Sequence, residues 1–329
     1  MNAIPTRFAL GGIAALAAFS VAACSTPPSS NASDASKDGA SSQAKGASAS
    51  DAAKSGGKTI QVVAAENFWG SIASQLGGGH VKVTSIINNP SADPHDYEPT
   101  AADARTVAGA RFTIVNGIGY DSWAGKLLAA NPGQDRTDLE VGKLVGIPAN
   151  GNPHRWYSPD NVHQVIEQIT ADYKKLDPAD SADFDTLKTT FENTTLAPYS
   201  QEIAAIKAKY AGTPVGASES IFALLAQGLG LNLLTPASFL DAISEGTDPT
   251  AKDKSTIDRQ IADKKIKVYV YNSQNATPDV QAQVKAAKAR GIPVATVTET
   301  LTPAGASFQQ WQVRQLKGIQ AALAKATGK

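Results

Sequence analysis

Thr59-Ile60-Gln61-Val62-Val63-Ala64-Ala65, then Phe68-Trp69-Gly70-Ser71-Ile72-Ala73-Ser74-Gln75-Leu76, then Val81-Lys82-Val83-Thr84-Ser85-Ile86-Ile87 form the stretch that decides the fold. The outer two runs are β-branched and short, as strands are, and the middle run reads as a helix closed by Gly77-Gly78-Gly79. Strand, helix, strand in that order predicts a parallel sheet flanked by helices. The alternation continues. Strands are expected over residues 111–115, 139–145, 214–218, 231–234, 266–271 and 292–297, and helices over 101–109, 121–130, 162–176, 221–228, 252–264, 278–289 and 308–324. Asp160 or Asn161 is expected to cap the helix at 162. Residues 179–210 read as largely helical, with Pro198 kinking the helix or starting a new one. The expectation is an α/β protein of two doubly wound lobes, 59–178 and 211–329, joined by a helical linker over 179–210, with no internal sequence repeat.

The chain has 329 residues and a net charge of zero. It shows no basic stripe interleaved with aromatics, which argues against nucleic acid as a partner. One cysteine, Cys24, excludes an internal disulfide and a thiolate zinc cluster. Its place is informative. Arg7 is the only charge before it, an apolar run follows, and Val21-Ala22-Ala23-Cys24 resembles the lipobox of a bacterial lipoprotein signal peptide. A plain secretion signal or a short membrane helix is the alternative. On the lipobox reading, residues 1–23 are a leader, Cys24 carries lipid, and the mature protein is extracytoplasmic and anchored to the cell membrane. Residues 24–58 hold Ser, Ala, Gly and Lys without large apolar side chains, the composition of a disordered tether.

Candidate chemistry lies at strand ends. Asp93-Pro94-His95-Asp96-Tyr97-Glu98-Pro99-Thr100 follows the second strand, and its two prolines hold a histidine out of helix and strand. By itself this also fits a stiffened surface loop with a solvated histidine. Asn152-Pro153-His154-Arg155-Trp156 repeats the theme, and Glu219 and Glu299 each follow a strand in the second lobe. Ligands of open α/β sheets sit beyond the carboxyl ends of the strands. Facing lobes would bring His95, His154, Glu219 and Glu299 into one cleft, and two imidazoles with two carboxylates suit a divalent transition metal. Asp96, Glu98 and Glu66 are candidates to orient the imidazoles, His80 reads as a turn residue, and His163 as a helix-surface or packed residue. The four tryptophans read as packing, and Asn116-Gly117 as a turn.

With Ser218-Glu219-Ser220-Ile221-Phe222 and Thr298-Glu299-Thr300, these two loops resemble the zinc- and manganese-binding receptor family of bacterial ABC importers. The resemblance implies two lobes bridged by a long helix, and His95, His154, Glu219 and Glu299 as ligands of a transported Mn2+ or Zn2+. It also implies an ABC permease as partner, a monomer and no catalytic step. Glu299 stands where the family usually has aspartate. Glutamate as third ligand, and the lack of a histidine-rich loop over 119–142, tilt the expectation to manganese, whereas nitrogen and oxygen sites intrinsically favour zinc. A metallohydrolase and a surface adhesin are the competing functions. The former lacks a His-Glu-x-x-His helix, and four protein ligands would leave little room for water.

Overall fold

Two four-stranded sheets, each with its strands parallel, organise the described residues. The computed structural model describes residues 58–329 other than Ser91, Asp93 and Asp96. The expectations for the leader, for Cys24 and for the tether before Lys58 lie outside the described residues.

The first half runs β1 (Ile60–Glu66), α1 (Asn67–Gly77), β2 (Val81–Ile87), α2 (Ala101–Ala108), β3 (Phe112–Val115), α3 (Ser122–Ala130), β4 (Thr137–Glu140), the single turn α4 (Val141–Leu144) and α5 (Pro159–Leu176). The order in this sheet is β2-β1-β3-β4. Central β1 is buried at all but Gln61, as a strand covered on both faces must be, whereas edge strand β2 is half-exposed. A bridging stretch follows: α6 (Ser181–Thr190), a π-helical turn (Phe191–Thr195) and α7 (Ala197–Tyr210). Pro198 sits in the first turn of α7, where its missing N–H costs nothing, so the proline starts a helix as expected. The second half runs β5 (Pro214–Ala217), a 3-10 turn (Ser220–Phe222), α8 (Ala223–Gly228), β6 (Asn232–Leu233), α9 (Ala237–Ser244), α10 (Ala251–Ala262), β7 (Val268–Asn272), α11 (Pro278–Ala289), β8 (Val294–Val297) and α12 (Phe308–Thr327). Its sheet order is β6-β5-β7-β8. The two halves share one topology without sequence repetition.

Three local expectations need correction. The fourth strand lies over Thr137–Glu140 rather than 139–145, because Val141, Leu144 and Val145 fit one helical turn as well as a strand. There Gly142 donates its N–H to the Asn116 carbonyl at 2.9 Å. The cap of α5 is Ser158, whose hydroxyl accepts from the Asn161 N–H, with Pro159 in the first turn. Helix α9 has no counterpart in the sequence reading. Pro236 precedes it, and Phe239, Leu240 and Ile243 form its buried stripe.

One hydrophobic core joins the halves. Phe68, Trp69, Phe112 and Trp156 belong to the same buried cluster as Val215, Val268, Trp311 and Leu316. Helix α6 packs on α1 and α5, while α7 packs on α12. Parting the sheets would bare aromatic surface, so the fold holds the strand ends of both at fixed separation.

Helix α1 approaches the first sheet closely because Gly70 lacks a side chain: an added Cβ would lie 2.1 Å from Ser85 Oγ and 3.3 Å from Ala64 Cβ. In a free helix Gly→Ala gains about 1 kcal/mol. Here overpacking, typically about 1–3 kcal/mol, dominates. Gly70→Ala is therefore expected to lower the denaturant midpoint, read by circular dichroism, and a raised midpoint would show that α1 does not pack this tightly.

Candidate metal centre

His154 is the fixed point of the site. It is fully buried in the loop between α4 and α5. Asn116, at the end of β3, holds that loop: its Nδ2 donates to the Pro153 carbonyl at 2.9 Å while its Oδ1 accepts from Trp69 Nε1 at 3.1 Å. Asn152 then sets the imidazole. Its Nδ2 donates to the Ser220 carbonyl at 2.8 Å, so its Oδ1 is the atom facing His154 Nδ1 at 2.9 Å. Nδ1 therefore carries the proton and Nε2 keeps its lone pair. Nε2 is buried, with no hydrogen-bond partner among the described residues. Burial above all, then the electrostatic influence of nearby His95 and Arg155, push this imidazole well below its ordinary pKa, so it stays neutral.

His154, His95 and Glu299 each present an atom within 4.8 Å of the others. His95 comes from the loop after β2, held there by Trp123 Nε1 donating to the Pro94 carbonyl at 3.0 Å. Glu299 follows β8, buried, and Tyr120 donates its hydroxyl to Glu299 Oε2 at 2.7 Å. The Tyr120 ring also packs edge-on against His95, with centroids 4.7 Å apart. Burial, then the Glu299 charge, raise the Tyr120 pKa well above its ordinary value and keep it a donor. Glu219, the fourth expected ligand, is not among the side chains that converge to this distance; its carboxylate is held beside them. Asn272 Nδ2 donates to Glu219 Oε1 at 2.6 Å and to Glu299 Oε1 at 3.0 Å, and Asn275 Nδ2 donates to Glu219 Oε2 at 2.8 Å. A cleft of about 480 Å³, lined by His95, Glu299, Ser244, Gln274 and Asn275, opens onto the site.

Of the other residues singled out in the sequence, Glu98 is exposed and Asp96 lies outside the described residues. His80 ends a 3-10 turn, Gly78–His80, with Nδ1 2.9 Å from Asp180 and Nε2 3.4 Å from Asp183. His163 is exposed near Glu192. Asn116 reads in the sequence only as half of a turn, and Tyr120, Asn152, Asn272, Gln274 and Asn275 have no role assigned there. Their only sequence signal was a place just beyond a predicted strand or beside a candidate ligand.

A family model described as zinc-uptake complex component A, periplasmic, matches residues 62–322. The chain belongs to this family. The manganese-binding lipoprotein MntA of Halalkalibacterium halodurans is 28% identical over 125 residues, which is 37% of this chain and 41% of that protein. MntA of Bacillus subtilis is 24% identical over 251 residues, 73% of this chain and 79% of that protein. The matched stretch thus spans under half of the first relative and most of the second. The Mn-bound periplasmic metal-binding protein of Candidatus Liberibacter asiaticus shares the fold, with TM-score 0.66 at 19% identity over 80% of this chain and 100% of that one.

Within this member of the zinc-uptake component family, a second pair of acids lies under the site. Glu66, the last residue of β1, is fully buried beside Asp121. Its neighbour Asp121 accepts the backbone N–H groups of Asn116 and Gly117, both at 2.7 Å. Burial, then the Asp121 charge, raise the Glu66 pKa well above 4.5. The folded state therefore holds a proton that the unfolded state releases above pH 4.5, and stability from this group is lost as pH rises through the folded pKa. Glu66→Gln carries no such penalty. It is expected to melt higher than the native protein at pH 8, with the gap closing toward pH 4.5; a gap that widens on acidification would refute the assignment.

Proposed function

We propose that the protein is an extracytoplasmic receptor, acting as a monomer, that captures one divalent transition metal ion and delivers it to the membrane permease of an ABC importer. The ligands on this reading are His95, His154, Glu219 and Glu299. The observation that carries it is the lone pair of His154: a buried Nε2 without a partner, on an imidazole whose other nitrogen is committed to Asn152, within 4.8 Å of ligand atoms of His95 and Glu299. Burying such an atom unpaired is costly, and a cation relieves the cost. The carboxylates of Glu219 and Glu299 would offset the ion's charge where water is excluded. Tyr120 donates to Glu299 Oε2 and Asn272 to Oε1, so an ion held through Oε1 would share that oxygen with the Asn272 amide.

Mn2+ and Zn2+ both fit this set. The carboxylate pair favours manganese by ligand type, while the affinity order of nitrogen and oxygen sites favours zinc. The relatives named above support a metal receptor, and both curated ones are manganese-binding lipoproteins. Tethering through lipid on Cys24 would keep the receptor at the permease. Among the described residues no helix is long and apolar enough to cross a membrane.

Metal-free protein titrated with Mn2+ or Zn2+ is expected to bind one equivalent and to melt higher. The stabilisation should reach about 2.7 kcal/mol at a free ion concentration a hundredfold above Kd. His154→Ala should abolish both effects. A melting temperature indifferent to both ions would sink the reading. Separately, Cys24→Ser should release the protein from cell membranes into the soluble fraction, and retention at native levels would remove the lipid anchor from the account.

A further inference from the structure

Asn272, Ser273, Gln274 and Asn275 carry the chain out of β7 and over the site. Asn272 is fully buried. Its Oδ1 accepts the Gln274 N–H at 2.9 Å, which fixes the amide so that Nδ2 is the atom shared by Glu219 Oε1 and Glu299 Oε1. Asn275 Nδ2 takes the other Glu219 oxygen and also reaches the Ile243 carbonyl at 3.3 Å. Both Glu219 oxygens thus face neutral N–H donors. Glu299, whose oxygens take Tyr120 and Asn272, is aimed through its backbone as well: its N–H and that of Thr300 donate to Gln274 Oε1 at 2.6 and 3.0 Å. The same Gln274 side chain donates to the Pro90 carbonyl in the loop that carries His95.

We propose that Asn272 and Asn275 are positioning residues that restrict Glu219 to a single oxygen on the bound cation, and so shift the site's preference from manganese toward zinc. This rests on the metal-receptor reading above. An N–H donated to a carboxylate oxygen occupies a lone pair and fixes the plane of the group. A bidentate grip requires both oxygens to turn toward one ion, which here means giving up the Asn275 bond. Zinc is satisfied by four ligand atoms at a tetrahedral site. Manganese belongs with octahedral, oxygen-rich coordination and gains more from the additional oxygen. Holding Glu219 by its second oxygen therefore penalises manganese more than zinc. Removing a partner behind a metal ligand commonly costs about 10–100-fold in affinity, here a cost that falls more on zinc than on manganese.

The test compares the native protein with Asn275→Ala, Asn275→Ser and Asn275→Gln. Kd for Zn2+ and for Mn2+ is measured by chelator competition, and metal-free melting temperature reports folding. Asn275→Ala and Asn275→Ser are expected to tighten Mn2+ binding about tenfold relative to Zn2+. Asn275→Gln, which keeps the amide, should move back toward the native ratio. The electron paramagnetic resonance spectrum of bound Mn2+ should change in the Ala and Ser variants, which a loss of stability alone would not cause. If the native protein binds either ion and its Zn2+/Mn2+ ratio survives in all three variants, the restriction on Glu219 is wrong and the receptor reading stands. If the native protein binds neither ion, both fall.

Discussion

A neutral imidazole with a bare lone pair, sealed inside a protein, is an expensive arrangement unless something is meant to meet it. His154 is held in that state from several directions. Asn152 fixes its tautomer, Asn116 fixes its loop, and burial prevents it from taking up a proton. The amide of Asn152 reaches on to the Ser220 carbonyl, next to Glu219, so the residue that orients the histidine also ties it to the opposite sheet. The rest of the site is arranged around that nitrogen.

The fold makes this arrangement durable. Each sheet places its polar residues beyond the carboxyl ends of its strands, and a continuous hydrophobic core fixes one set of strand ends against the other. Tyr157 donates to the Thr298 carbonyl or to Gln315 at 2.8 Å, and Gln315 accepts the Thr298 N–H at 2.8 Å, so the turn carrying Glu299 is secured from both halves. Gln75 and Gln309 exchange hydrogen bonds between α1 and α12. Of the three side chains that converge there, His95, on a loop between prolines, is the exposed one.

Much of this was legible in the chain. The β-branched runs at 60–66 and 81–87 became strands, and the proline-bracketed loops delivered His95 and His154 to the same place. Errors fell where local patterns are ambiguous. Val141 to Val145 satisfy the strand and helix periods alike, and α9 is a short helix after a proline in a region that reads as loop. Carboxamides were the larger omission. Asn116 looked like half of a turn dipeptide, and Asn272, Gln274 and Asn275 drew no reading at all, because an amide signals nothing until its partners are known.

The linear order of residues determined which side chains could bind a cation and which strand each would follow, since both depend on residue type and short-range periodicity. It also determined that two α/β halves would form. That the halves share one strand order despite unrelated sequences was decided only in three dimensions, where packing is indifferent to residue identity so long as volume and burial are satisfied. The same holds for Glu219. Its type and place marked it as a candidate ligand, but its bonds to Asn272 and Asn275, more than fifty residues downstream, exist only because the fold puts β5 beside β7. Hydrogen bonds are directional and short, so only the folded backbone could say which amide would meet which acid.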